Sequence, residues 1–194
     1  MNEKTRRLTF TAMFGAIASV LMVLEFPLPF LIPTFVKMDF SELPALIAGF
    51  AYGPVSGIAV CLIKNIVKLI IGSHTSGVGE LCNFLLGVCF ILPSSLIYKK
   101  IKTRKGALIG AAAGAVLMAV FSLPINYFIS YPIYMQFLPL EAIISSYQEI
   151  IPGVNGLISC LIIFNMPFTL IKGIIDTILC FIIYKRISPV LHKK

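Results

Sequence analysis

The chain is dominated by apolar runs long enough to cross a bilayer. No charged side chain occurs from Leu8 to Leu24, and none from Gly106 to Ile129. About 20 such residues span a hydrocarbon core as a helix. Lipid offers no partners to exposed backbone groups, so the spanning segments must pair their own. Composition agrees: 58% of the 194 residues are hydrophobic and 12% are charged. A soluble domain carries roughly a quarter charged residues. Half that amount cannot cover a water-facing surface, so the sequence predicts an all-α integral membrane protein.

Six segments can be drawn: Leu8–Phe26, Glu42–Tyr52, Val55–Ile71, Glu80–Tyr98, Gly106–Ile129 and Leu157–Tyr184. The second is short, about 16 Å at ~1.5 Å per residue, so protein or loop residues must flank it. It ends at the turn signal Gly53-Pro54. The Ala16-Ile17-Ala18 stretch imitates a signal-peptidase site, yet the apolar run continues through Leu24, which marks a retained helix. One transmembrane domain over residues 1–194 is expected, with no internal repeat.

The net charge of +8 is not spread over a nucleic-acid surface. Lys4, Arg6 and Arg7 form one basic cluster, Lys99 to Lys105 a second, and Lys185, Arg186, Lys193 and Lys194 a third, each at the end of an apolar run. Six crossings place all three clusters on one side, the positive-inside pattern. Both termini are then cytoplasmic. The connections Pro27–Ser41, Gly72–Gly79 and Ser130–Gly156 lie outside. Cys61, Cys82, Cys89, Cys160 and Cys180 form no C-x-x-C pair and read as reduced packing residues.

Polar residues inside the runs are the candidates for function, because a charge at the bilayer centre costs roughly 3 kcal/mol. Thr169, Lys172 and Asp176 stand at i, i+3 and i+7 on one helical face, just after Pro167, which frees backbone carbonyls. They read either as a ligand wall or as a Lys172–Asp176 structural lock. Lys64 and Lys68 repel at i, i+4 unless neutralised, and Glu80 and Asp39 are their candidate partners. Gly77-Val78-Gly79-Glu80 leads into Asn83, where loop glycines let backbone approach a ligand. Asn83 and Asn126 each lie just inside a segment and offer both donor and acceptor. His74 and His192 stand apart in a loop and the tail. No catalytic motif appears, and the glycine-rich stretch lacks the G-K-[ST] of a phosphate loop. An enzyme is not expected, nor a metal or cofactor. Uphill transport must draw its energy from another subunit or an ion gradient.

Several stretches together resemble a known family. They are Lys37-Met38-Asp39-Phe40-Ser41-Glu42-Leu43-Pro44, Phe50-Ala51-Tyr52-Gly53-Pro54, Leu62-Ile63-Lys64-Asn65, Gly77-Val78-Gly79-Glu80-Leu81-Cys82-Asn83, Asn126-Tyr127-Phe128 and Pro167-Phe168-Thr169-Leu170-Ile171-Lys172-Gly173. The arrangement is similar to the riboflavin-binding S components of energy-coupling factor (ECF) vitamin transporters. The resemblance implies a six-helix fold in a prokaryotic cell membrane. It also implies a vitamin site near the outer face and assembly with a transmembrane coupling subunit and two ATPase subunits. It assigns ligand contact to Asp39, Phe40, Asn83, Asn126, Thr169 and Lys172. Gly79 and Glu80 join them from the loop, and Asn165 as the amide one turn before Thr169. Ala12 and Ala16 match its A-x-x-x-A coupling surface.

A flavin suits these groups: its pyrimidine edge pairs with Asn side chains, and its benzenoid end needs an apolar wall. Leu140–Ile151, in a loop rich in Tyr131, Tyr134, Phe137 and Tyr147, reads as a lid or a plain interfacial connector. The anchors do not uniquely encode flavin, so S components for a pteridine, a queuosine precursor or thiamine stay open. An autonomous secondary transporter stands further off, with only Asp176 deep enough for ion coupling.

Overall fold

The computed structural model describes residues 2–73 and 75–191, with side chains through residue 183. His74, His192, Lys193 and Lys194, and the side chains of Lys185 and Arg186, lie outside the described residues. The described residues are mostly helical, with one hairpin of two-residue strands. Helix α1 spans Glu3–Val23, and the hairpin pairs β1 (Phe26–Pro27) antiparallel with β2 (Lys37–Met38), Phe26 opposite Met38. Then come α2 (Glu42–Tyr52), α3 (Pro54–Gly72), α4 (Val78–Lys100) and α5 (Arg104–Ile125). A π-helical turn over Asn126–Ser130 joins α5 to α6 (Tyr131–Tyr134). Helix α7 covers Leu140–Gln148 and α8 covers Leu157–Cys160. A second π-helical turn over Leu161–Asn165 leads into α9 (Met166–Leu191).

Among the described residues, five helical stretches are long and apolar enough to cross a membrane: Glu3–Val23, Pro54–Gly72, Val78–Lys100, Arg104–Tyr134 and Leu157–Ile183. The expected second segment forms as the 11-residue α2, too short to span alone and buried from Glu42 to Phe50. It is packed by α1, α3, α4 and α9 and so sees protein, not lipid. The expected fifth segment continues through both the π turn and α6 to Tyr134.

Each π turn sits just ahead of a proline. Pro132 and Pro167 have no amide to give the carbonyls of Phe128 and Ile163, and their rings crowd the preceding turn. Widening that turn relieves the clash. The turns close with Tyr131 N–H donating to the Asn126 carbonyl and Met166 N–H to the Leu161 carbonyl, each five residues apart.

Contacts between ends of helices fix the bundle's polarity. Phe10 stacks on Tyr52, and the ring of Phe50 lies 4.9 Å from that of Tyr98. The Arg7 Nε–H donates to Ser56 Oγ at 2.8 Å. The starts of α1 and α3 and the ends of α2 and α4 therefore share one end of the bundle. Lys4, Arg6 and Arg7 lie there with the Lys99–Lys105 cluster. The hairpin, the α3–α4 turn and α7 occupy the other end. Apolar packing divides likewise into two clusters, one along α2 and its neighbours, the other gathering Ile32, Tyr131, Tyr147, Phe164 and Phe168. All five cysteines are free thiols, as expected of packing residues.

Helices α4 and α5 approach closely through small residues on α5. A Cβ built on Gly114 would stand 2.2 Å from Ser94 Oγ and 2.4 Å from the Phe90 carbonyl oxygen. Backbone cannot move aside as a side chain can. Gly114→Val should cost at least about 1–3 kcal/mol by overpacking, read as a lower melting temperature of the detergent-solubilised protein.

Candidate functional site

Charged side chains at the centre of the fold close into a ring. Lys172 Nζ on α9 pairs with Asp39 Oδ2 at 2.9 Å and with Glu42 Oε2 at 2.9 Å. Glu42 Oε1 takes Lys64 Nζ on α3 at 2.5 Å. Lys64 also donates to Ser41 Oγ at 2.5 Å, and Ser41 in turn donates from its hydroxyl to Asp39 Oδ1. The Ser41 amide caps the same Asp39 oxygen at 2.8 Å. All five residues are buried. Glu42 opens α2, where the helix dipole favours an anion. Burial alone would raise the Asp39 carboxyl. The ammonium groups of Lys172 and Lys64 outweigh it and hold Asp39 below the ordinary carboxylate range.

These pairings decide against one of the two readings of Lys172 and against one of the two candidate partners of Lys64 and Lys68. Lys172 does not pair with Asp176, because Asp39 and Glu42 occupy its ammonium. Nor does Glu80 neutralise a lysine: it accepts from Ser73 Oγ at 2.8 Å and Thr75 Oγ1 at 3.2 Å. Those hydroxyls also receive the Gly77 and Gly79 amides, so Glu80 fastens the α3–α4 turn. Gly77 takes φ +88 there, a conformation that favours glycine. Lys68 pairs with Glu25 at 3.0 Å, and Lys37 joins the same carboxyl oxygen at 2.9 Å. Burial raises the Glu25 carboxyl, but the two lysines prevail and lower it.

Above the ring opens a cavity of about 350 Å³, within the ~300–1,000 Å³ of small-molecule sites. Its wall includes Asp39, Gly79, Glu80, Asn83, Asn126, Asn165, Thr169 and Lys172. These eight of the nine expected residues come from four separate parts of the chain. Phe40 is the exception. Its ring packs against Phe26, centroids 6.0 Å apart, and it joins the apolar cluster at the hairpin end. Asp39 faces the ring and the cavity, which turns its neighbour away.

The remaining wall is mixed. Met22, Leu86, Met118 and Phe168 supply apolar surface, Tyr131 and Tyr134 aromatic surface, and Glu25, Lys37 and Lys68 a charged rim. The oxygen Oδ1 of Asn83 is buried and, among the described residues, accepts no hydrogen bond. Asn165 is already engaged: Tyr147 donates its hydroxyl to Asn165 Oδ1 at 2.7 Å, and Tyr131 and Tyr147 share a short hydrogen bond. Tyr147 is fully buried and, with Ile143 one turn earlier, forms the inner face of α7. Helix α7 thus rests on the cavity's back wall through one phenol. A smaller hollow of about 170 Å³ adjoins at Phe35, Thr75 and Tyr134, lined also by Phe137.

Glu42, Glu25 and Tyr147 were not among the expected site residues. Glu42 was legible as an acid at a helix start beside Asp39. The hydropathy pattern marked it only as a boundary. Ala12 and Ala16 are exposed on α1, opposite the buried Phe14, Gly15 and Ala18.

A bundle of membrane-crossing helices that encloses one polar-anchored organic-molecule cavity is the architecture of a substrate-binding membrane subunit. Comparison with known proteins gives the family. The profile described as "ECF transporter, substrate-specific component" matches residues 6–184. The chain is 36% identical to "Riboflavin transporter FmnP" of Bacillus subtilis, covering 96% of this chain and 94% of that one. It is 35% identical to "Riboflavin transporter RibU" of Staphylococcus aureus, covering 98% and 95%. A solved structure, "Structure and mechanism of the S component of a bacterial ECF transporter", superposes with a TM-score of 0.77 at 33% identity, covering 98% of this chain and all of that one. The chain belongs to the substrate-specific components of ECF transporters. It is a multi-pass transport protein and not an enzyme.

Lys172→Met should leave two buried carboxylates short of a partner and cost about 3–5 kcal/mol of stability, measured by thermal melting. Because the Asp39 carboxyl is lowered on folding, its contribution is complete above about pH 4 and is lost as pH falls through the lowered value. Melting temperature should therefore drop on the acid side, and Asp39→Asn should flatten that drop.

Proposed function

We propose that this chain is the riboflavin-capturing subunit of an ECF vitamin transporter. The observation that carries this is the convergence of eight anchor residues on one cavity, with the Asn83 oxygen buried and, among the described residues, lacking a donor. An acceptor so placed suits the imide N–H of a flavin pyrimidine edge. Asn126 supplies a second amide along the wall. Met118, Leu86 and Phe168 give the benzenoid end an apolar surface, while Lys172, Asp39 and the rim lysines offer partners to ribityl hydroxyls. The names of the relatives favour riboflavin over other heterocycles.

In this reading the chain forms one domain with six membrane segments, α2 being the short one, and both termini face the cytoplasm of a prokaryotic cell. The shared end of Lys4, Arg6, Arg7 and the Lys99–Lys105 cluster supports that orientation. The vitamin enters at the hairpin end, beneath α7 acting as a lid. Ala12 and Ala16 dock a transmembrane coupling subunit, since small residues four apart let helices approach closely. Two ATPase subunits supply the energy.

Purified protein titrated into riboflavin should quench the vitamin's fluorescence saturably at micromolar concentration, with thiamine unable to compete. Absence of saturable quenching would remove the flavin assignment. Asn83→Ala should weaken binding about tenfold, equivalent to ~1.4 kcal/mol; unchanged affinity takes Asn83 out of the site. Replacing Ala12 and Ala16 with Leu should abolish uptake in cells while sparing riboflavin binding by the isolated subunit. Surviving uptake would overturn the docking face.

A further inference from the structure

The ring uses both ammonium groups below the cavity and leaves one acid over. Asp176 lies one turn beyond Lys172 on α9, outside the cavity lining, and is fully buried. Among the described residues, neither of its carboxyl oxygens has a hydrogen-bond partner. Among the described residues it makes no ion pair, Lys172 and Lys64 being held by Asp39, Glu42 and Ser41. The charged groups facing it are Glu42 on α2, Lys64 on α3, Asp39 in the connection before α2, and Lys172 on its own helix. Helix α5, also packed along α9, brings Ala115 and Met118 closest to Gly173, and its Arg104 and Lys105 stand in its first turn. One turn further along α9 is the buried thiol of Cys180. Three carboxyl groups therefore share two ammonium groups.

Were all five ionised, the cluster would hold one net negative charge, concentrated on the acid that has no partner. A carboxylate in apolar surroundings gives up its charge before it bears the loss of hydration. A metal cation needs several oxygen ligands, and the neighbouring Thr177 hydroxyl is committed to the Gly173 carbonyl at 2.7 Å. Among the described residues no group of three or more His, Cys, Asp or Glu side chains is arranged to hold a metal. A proton needs only Asp176 itself.

We infer that Asp176 is a proton-binding site whose single proton balances the ion-pair ring beneath the cavity. The site has a consequence for the ligand wall. Asp176 and Lys172 are four residues apart on one helix face. If the proton leaves to solvent, the new carboxylate competes with Asp39 and Glu42 for the Lys172 ammonium and draws it away from the cavity. Proton occupancy at Asp176 thus sets whether Lys172 is presented to ligand, so affinity should fall as the medium becomes alkaline.

The test is infrared spectroscopy of the purified protein across a pH series, read at the C=O stretch of a protonated carboxyl group. The wild-type chain should show this band at neutral pH, shifted by deuterium exchange and lost in base. Asp176→Asn, which imitates the neutral acid, should remove the band. It should also keep ligand affinity at neutral pH and abolish the alkaline loss. In Glu42→Gln the remaining carboxyls match the two lysines, so the band should disappear at neutral pH; this arm decides if Asp176→Asn does not fold. A wild-type chain without the band, or a band that survives both substitutions, overturns the inference. So does a melting temperature that depends on sodium in the wild type and not in Asp176→Asn, since a cation would then hold the place. The spectroscopic arms need no riboflavin, so their failure is separable from failure of the ligand assignment.

Discussion

Everything near the cavity depends on the alternation of charge around Lys64, Glu42, Lys172, Asp39 and Ser41. Two lysines inside an apolar bundle are tolerable only if each meets oxygen on more than one side, because a buried charge without a partner costs several kcal/mol. The ring provides this by drawing its members from α3, α9, the start of α2 and the connection before it. No member can move without exposing another. Such a closure does not by itself add stability over an apolar core. It fixes where α2 begins and where the hairpin connection ends, and so shapes the cavity floor.

The rest of the site is built against that floor from two apolar clusters that meet at the cavity. Met118 and Leu86 belong to the cluster along α2, Tyr131 and Phe168 to the one at the hairpin end. Rigid below and lightly held above, the cavity has an asymmetric frame. Helix α7, proposed above as the lid, presents Ile143 and Tyr147 as its buried side chains. Its polar attachment runs through Tyr147 to Asn165, a residue that itself lines the cavity. Anything that takes the Asn165 side-chain carbonyl takes it from the hydroxyl that holds α7.

The spans were legible because a membrane segment must be apolar along its length, and that signal needs no tertiary information. Asn83, Asn126, Thr169 and Lys172 stood out for the complementary reason: polar groups in such segments need a purpose. Asp39, in the connection ahead of α2, entered as a candidate partner for the lysines of α3 and through the family resemblance. Pairing was not. Sequence spacing put Asp176 within reach of Lys172, yet residues distant in sequence, Asp39 and Glu42, reached it first. Glu42 looked like a helix boundary, and Glu25 like the end of the first span, because hydropathy cannot distinguish a terminus from a buried ion pair. Phe40 entered through the family resemblance; in the fold its ring packs on Phe26 at the hairpin end, while Asp39 lines the cavity. Tyr147 was read as one aromatic among several in a loop. Its depth comes from the packing of α7, which no local pattern encodes.

The two widened turns ahead of Pro132 and Pro167 have a geometric meaning beyond accommodating a ring. Each inserts one residue beyond the regular helical repeat, and at 3.6 residues per turn one residue is a rotation of about 100°. Asn126 begins one such turn and Asn165 ends the other. The wider winding therefore acts as a phase shifter in both helices. It lets a face that looks toward neighbouring helices in one half look into the hollow in the other. Shortening either turn by a residue would restore the regular spiral and swing the polar side chains beyond it out of alignment with Lys172, with every one of them still present in the sequence.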